Sequence, residues 1–140
     1  MTNVRTYNED NFHDIAWGEG LAVIRFFAPW CPPCRESEAE YLQFAEKLEK
    51  HVKVGVVNTD ASPVLSTRYE VFGLPSVLVF RNGQVIARIT GQKTADQYAA
   101  IFHPFLNTKQ TYTDDIGRWV LTVFETSKPD IVQKKLKTQT

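Results

Sequence analysis

Cys31-Pro32-Pro33-Cys34 is the stretch of this 140-residue chain best equipped for chemistry, and it holds both of its cysteines. As a staple, a bridge between them closes so small a loop that it removes little entropy from the unfolded chain. As a metal clamp, the pair would need two more ligands for a tetrahedral zinc. The only histidines are His13, His51 and His103; no two are close in sequence, and there is no second CxxC. Neither a metal nor another cofactor is expected. A reversible dithiol that exchanges with disulfides remains, beside the blander alternative of two inert buried thiols.

The flanking elements decide whether such a pair is presented or buried. Leu21 to Ala28 is an apolar run broken only by Arg25, which suits a strand buried on both faces, and Pro29 ends it. From Cys34 to His51 there is no Gly or Pro, and Tyr41, Phe44, Ala45 and Leu48 recur at helical spacing. Glu36, Glu40, Glu46, Lys47 and Lys50 fall on the opposite, solvated face. The dithiol therefore sits where a buried strand turns into a long helix.

Around that unit, Val4 to Tyr7 predicts a strand and Asn8 or Glu9 to Trp17 a helix; Val52 to Val57 predicts another strand. Ser62-Pro63 supplies an N-cap and a first-turn proline for a short helix ending near Tyr69. Ser76 to Arg81 and Gln84 to Thr90 flank Asn82-Gly83, a strong hairpin signal. Thr94-x-x-Gln97 opens a helix with Tyr98, Ile101, Phe102, Phe105 and Leu106 along its inner side. The order βαβαβαββα implies an α/β fold, a mixed central sheet with helices on both faces. Residues 1–107 form that domain. Residues 108–140 are an extra C-terminal helical extension, with Ile116, Trp119, Val120, Val123 and Phe124 on one face of a helix from Asp114 to Glu125. A stripe so apolar requires cover, by the chain's own domain, by self-association or by a partner's helix groove.

Sixteen Lys and Arg balance sixteen Asp and Glu, so no electrostatic footprint for nucleic acid arises. No apolar run is long enough to span a bilayer. The opening MTNVRTYNED lacks the apolar core of a signal peptide. The expected compartment is the cytoplasm if Met1 is the native start, and the endoplasmic reticulum lumen or another extracytoplasmic space if a signal segment was removed.

Phe27-Ala28-Pro29-Trp30-Cys31-Pro32-Pro33-Cys34 resembles the active site of the thioredoxin superfamily, and two further features carry the likeness. Gly73-Leu74-Pro75 falls at the place of the family's cis-proline, and Gly91 where the family has a glycine after the last strand. The resemblance covers residues 3 to 106 and implies a thioredoxin fold. The Ala-Pro-Trp-Cys approach and the tract Asn8 to Phe12 are more similar to the disulfide-isomerase and thioredoxin-related transmembrane branch than to small bacterial thioredoxins.

By that resemblance Cys31 is the nucleophile and Cys34 the resolving thiol. Trp30, Leu74 and Pro75 would meet the substrate, Leu74 through its backbone. The isomerase type has a thiolate-stabilising histidine where Pro33 stands, and Pro32 replaces the usual glycine. Both prolines also remove backbone donors, which argues for a reductant. At Arg25 the family commonly has a buried acid that moves protons for the resolving cysteine, and a guanidinium is no base. Arg25 would either lower the thiol pKa by its charge, snorkel away, or pair with Asp60 or Glu36. Lys93 stands near the place of an arginine that tunes the inner cysteine in isomerase-like domains, or is an ordinary loop lysine. The implied activity is thiol–disulfide exchange on protein disulfides, with an upstream dithiol reductant or reductase as partner. The alternatives are a peptide-binding module and a redox sensor with little turnover.

Overall fold

The computed structural model describes residues 4–107, 112–113 and 119–120. The chain divides into two compact units, Met1–Tyr98 and Ala99–Thr140. The first carries β1 (Val4–Tyr7), α1 (His13–Ala16), β2 (Leu21–Phe27), α2 (Pro32–Glu46), β3 (Lys53–Asn58), α3 (Pro63–Arg68), β4 (Ser76–Arg81) and β5 (Gln84–Thr90). It ends inside α4 (Ala95–Asn107). The strands form one sheet in the order β1-β3-β2-β4-β5. β3 runs parallel to β1 and β2, while β4 is antiparallel to β2 and β5. This is the expected mixed sheet, with β2 at its centre.

Alternation along β2 assigns its side chains to two faces. Ala22, Ile24 and Phe26 join Leu78 and Phe80 in a cluster with Phe12 and Ile15 on one side and Leu65 of α3. Val23 and Arg25 face the other way, toward α2, whose Tyr41 hydroxyl lies 3.0 Å from both the Val23 and Gly55 carbonyl oxygens. Tyr41, Phe44 and Tyr98 pack ring against ring there. The strand feeding the dithiol is thus anchored from both sides.

Several boundaries move for physical reasons. The helix expected from Asn8 shortens to His13–Ala16 because Asn8 and Asn11 side chains take the backbone amides themselves: Asn8 Oδ1 accepts from Asp10 N at 2.8 Å, and Asn11 Oδ1 from Asn8 N at 2.7 Å. Ser62 does not cap α3; the carboxylate of Glu9 accepts instead from Val64 N at 2.9 Å. The Thr94/Gln97 capping box does form, in both directions, at 3.1 and 2.9 Å. Glu40 is drawn out of the solvated face to accept from Ala95 N at 2.7 Å. On α4, Tyr98 and Phe102 are buried, but Ile101 lies on the exposed side.

Within the stretch expected as a helix from Asp114 to Glu125, Trp119–Val120 (β7) instead pair antiparallel with Tyr112–Thr113 (β6). Aromatic and β-branched residue types favour extended backbone, which competes with the helical spacing. The rest of that expected helix, and the surfaces for self-association in residues 108–140, lie outside the described residues.

The β4–β5 turn is where the sheet's geometry is least forgiving. Asn82 (φ 52°) and Gly83 (φ 83°) both adopt left-handed backbone, and Asn82 exchanges hydrogen bonds with Gly20 at 2.7 and 2.9 Å. A Cβ on Gly83 would sit 2.1 Å from the Ala16 carbonyl oxygen, a backbone atom that cannot swing aside. Gly83→Ala should therefore cost about 2 kcal/mol or more, lowering Tm by about 10 °C in calorimetry. An unchanged Tm would mean that the turn is free to shift away from α1.

Candidate active site

Pro29 stops β2's continuation and Cys31, with extended backbone (φ −89°, ψ 110°), becomes the N-cap of α2. Pro32 and Pro33 occupy its first turn, where a missing N–H costs nothing and the fixed φ is already helical. Their cost appears at the sulfur. Of the amides that a helix N-terminus normally offers to an anion, the first available here is that of Cys34. It points at Cys31 Sγ, 3.2 Å away. The turn is braced by Cys31 N to the Ala28 carbonyl (3.2 Å), Arg35 Nη1 to the Pro29 carbonyl (2.9 Å) and Ser37 Oγ to the Pro33 carbonyl (2.7 Å).

Both cysteines are free thiols in a small buried cluster with Ala28, against which Phe27 and Leu74 pack. Burial pushes the Cys34 thiol up to about 11, with the hydrogen bond to Cys31 adding to the rise. A backbone contact with Ala28 and the Arg25 guanidinium act the other way. The inner thiol is thus held protonated at neutral pH.

Arg25 does not snorkel, and among the described residues it reaches no acid. It is 2% exposed and donates from Nη2 to the Cys34 carbonyl, with its guanidinium 5.5 Å from the Phe27 ring centre and 5.8 Å from that of Tyr41. The two expected acids are engaged elsewhere. Asp60 accepts from Trp30 Nε1 at 3.1 Å, and Glu36 from Gln92 Nε2 at 3.0 Å. The reason is packing: two aromatic faces and a carbonyl meet the guanidinium where a central strand leaves it no path to water.

The Leu74–Pro75 peptide is cis, and Pro75 is buried while Leu74 is half-buried against the cysteines. Ser76 Oγ donates to the Gly73 carbonyl at 2.6 Å, and Gly91 N to the Pro75 carbonyl at 3.0 Å. A helix-start dithiol on the edge of a buried strand, facing a loop through Leu74, is the geometry the sequence pointed to.

The Thioredoxin family model matches residues 3–103. The chain belongs to the thioredoxin family. A thioredoxin of Chlamydia pneumoniae is 34% identical over 90 residues, covering 64% of this chain and 86% of that one. Protein disulfide-isomerase like 2-2 of Arabidopsis thaliana is 38% identical over 74 residues, 52% of this chain but 17% of that much longer one. The crystal structure of Malassezia sympodialis thioredoxin superposes with a TM-score of 0.66 at 24% identity, over 74% of this chain and 91% of that one, which bears on the fold alone. With Cys31 and Cys34 at its helix start, this thioredoxin-family chain is a thiol–disulfide oxidoreductase.

The remaining site residues divide. Trp30 is 64% exposed, and its ring N–H donates to Asp60. Lys93 places its ammonium on its own loop, on the Thr90 carbonyl at 2.9 Å and that of Gln92 at 3.5 Å. The neighbour that reaches the active-site turn is Gln92, whose Nε2 spans Glu36 and the Pro33 carbonyl (3.4 Å). Nothing in the sequence marks Gln92 except its place after Gly91. Phe72 was equally silent, yet it is 91% exposed two residues before Leu74. Among the described residues no cluster of three or more His, Cys, Asp or Glu side chains could hold a metal ion. Nor is any described helix long and apolar enough to cross a membrane.

Proposed function

We propose that this chain reduces disulfides in polypeptide substrates, Cys31 attacking and Cys34 resolving. The observation that carries the reading is the asymmetry of the pair: Cys31 Sγ receives the first helix amide, while Cys34 is kept protonated beneath it. In the first step the Cys31 thiolate forms a bond to one substrate sulfur, and the other leaves as a thiolate that takes up a proton. Cys34 then loses its proton and attacks Cys31 Sγ. An intramolecular disulfide forms and the second substrate sulfur departs. The substrate gains two electrons and two protons, which an upstream dithiol reductant must return to the protein. Pro32 and Pro33 favour this direction, because a Cys31 thiolate with fewer amide donors is stabilised less and the dithiol is the stronger reductant.

The test is insulin reduction with dithiothreitol, followed by turbidity. Catalytic amounts of protein should shorten the lag well below that of dithiothreitol alone; an unchanged lag would refute the proposal. Substrate contact extends to the exposed rings on the two loops that carry the dithiol and the cis-proline, Trp30 and Phe72. Losing part of a phenyl contact is worth about 1 kcal/mol, so Phe72→Ser should raise KM for insulin about fivefold with a smaller effect on kcat. Equal kinetics for both proteins would remove Phe72 from the substrate surface.

A further inference from the structure

A cation buried in protein demands a counter-charge or a very complete set of acceptors. Arg25 has neither. Among the described residues no carboxylate pairs with it, and Nε is buried without a hydrogen-bond partner. Among the described residues its one hydrogen bond goes to the backbone carbonyl of Cys34, and Phe27 and Tyr41 supply ring faces. The ionisable groups that feel its charge are Cys34 and Tyr41 of α2 and Tyr98 of α4, whose hydroxyl is also buried and, among the described residues, unpartnered. Every one of these is neutral until it loses a proton. Burial raises the pKa of both phenols, strongly for Tyr41. The anion that can form next to Arg25 during turnover is therefore a thiolate.

We propose that Arg25 is a positioning residue for the resolving step, its buried guanidinium, fixed on the Cys34 carbonyl, taking the Cys34 thiolate as its counter-ion when that sulfur attacks Cys31. This rests on the dithiol exchange proposed above and replaces one device with another. A buried acid accelerates resolution by accepting the proton. Arg25 accepts none; the Cys34 proton passes to solvent or to the departing substrate sulfur, and the cation stabilises what is left behind. The bond that forms is Cys34 Sγ–Cys31 Sγ, and the one that breaks is Cys31 Sγ to substrate sulfur.

The size of the effect is limited by thiol chemistry. If the cation lowers the Cys34 pKa by one unit, thiolate rises tenfold while its intrinsic nucleophilicity falls about threefold, a net gain of about threefold. Arg25→Met removes the charge and keeps much of the length; Arg25→Lys keeps the charge without the planar fork. Reduced protein is mixed with oxidised glutathione, quenched in acid at intervals, and the glutathione mixed disulfide counted by intact mass. Attack and resolution then read out separately, as its formation and decay. In Arg25→Met the decay should slow about threefold or more, so the mixed disulfide accumulates, while Arg25→Lys should decay within about twofold of wild type. Decay in Arg25→Met as fast as wild type overturns the proposal. So does Arg25→Lys as slow as Arg25→Met, which would assign the role to packing instead of charge. Should Arg25→Met fail to fold by circular dichroism, Arg25→Gln makes the same comparison. Wild-type protein that forms neither the mixed disulfide nor the Cys31–Cys34 disulfide would refute dithiol exchange itself, and this inference with it.

Discussion

Cys31→Ser should abolish insulin reduction, whereas Cys34→Ser should retain the first step and stop as a stable mixed disulfide with substrate. The two losses look alike in a turnover assay and differ in what accumulates. Without Cys31 no sulfur at the helix start receives the Cys34 amide, and the remaining thiol is buried and held protonated near neutral pH. Without Cys34 the attack still releases one substrate thiol, but nothing completes the exchange until an external thiol arrives. Non-reducing electrophoresis should show a covalent adduct for Cys34→Ser and none for Cys31→Ser. Equal trapping by both variants would contradict the division of labour, as would alkylation of Cys34 before Cys31 under limiting iodoacetamide. Activity in Cys31→Ser should lie at least about a thousandfold below wild type, since its only other cysteine is the buried Cys34.

The elements that carry this chemistry were legible because their signals are local. Apolar runs without Gly or Pro wrote β2 and β4 into the sequence, and Asn82-Gly83 fixed the hairpin between β4 and β5. The dithiol and the Gly73-Leu74-Pro75 loop lie far apart in the chain, yet each carries its own motif, and the fold had only to bring them together. What stayed hidden depends on tertiary neighbours. Arg25 on an apolar strand reads like a side chain bound for water or for an acid. Only the closure of Phe27, Tyr41 and the Cys34 carbonyl around it shows otherwise. Gln92 is a loop amide until Glu36 and Pro33 appear across from it. Ser62 and Glu9 show the same limit in miniature. A sequence window cannot see that a carboxylate 55 residues upstream reaches the amide that the local serine was expected to cap.

The same tertiary enclosure gives the reduced protein a steep alkaline limit. Burial raises the pKa of Cys34 and of Tyr7, Tyr41, Tyr69 and Tyr98 in the folded chain. Each folded group then holds a proton that its unfolded counterpart gives up, so the stability it contributes is complete below the unfolded pKa and is lost as pH rises above it. For Cys34 that loss runs from about 9 to about 11. For Tyr41, fully buried with its hydroxyl between two backbone carbonyls, it begins near 10 and continues beyond the range in which the fold survives. One whole proton corresponds to about 1.4 kcal/mol per pH unit, and with each group only partly ionised in this window the two together give a slope of about 2 kcal/mol per unit between pH 10 and 11. A domain of ordinary stability, about 5–15 kcal/mol, cannot follow that slope far. Reduced protein should therefore unfold cooperatively above pH 10, with tyrosinate absorbance at ~295 nm rising in the same step as the loss of far-ultraviolet dichroism. The oxidised form has no Cys34 proton to lose, and its midpoint should lie at higher pH. Tyrosines that titrate smoothly near pH 10 with the dichroism intact would mean that the Tyr41 and Tyr98 hydroxyls are open to water, and the enclosure around Arg25 with them.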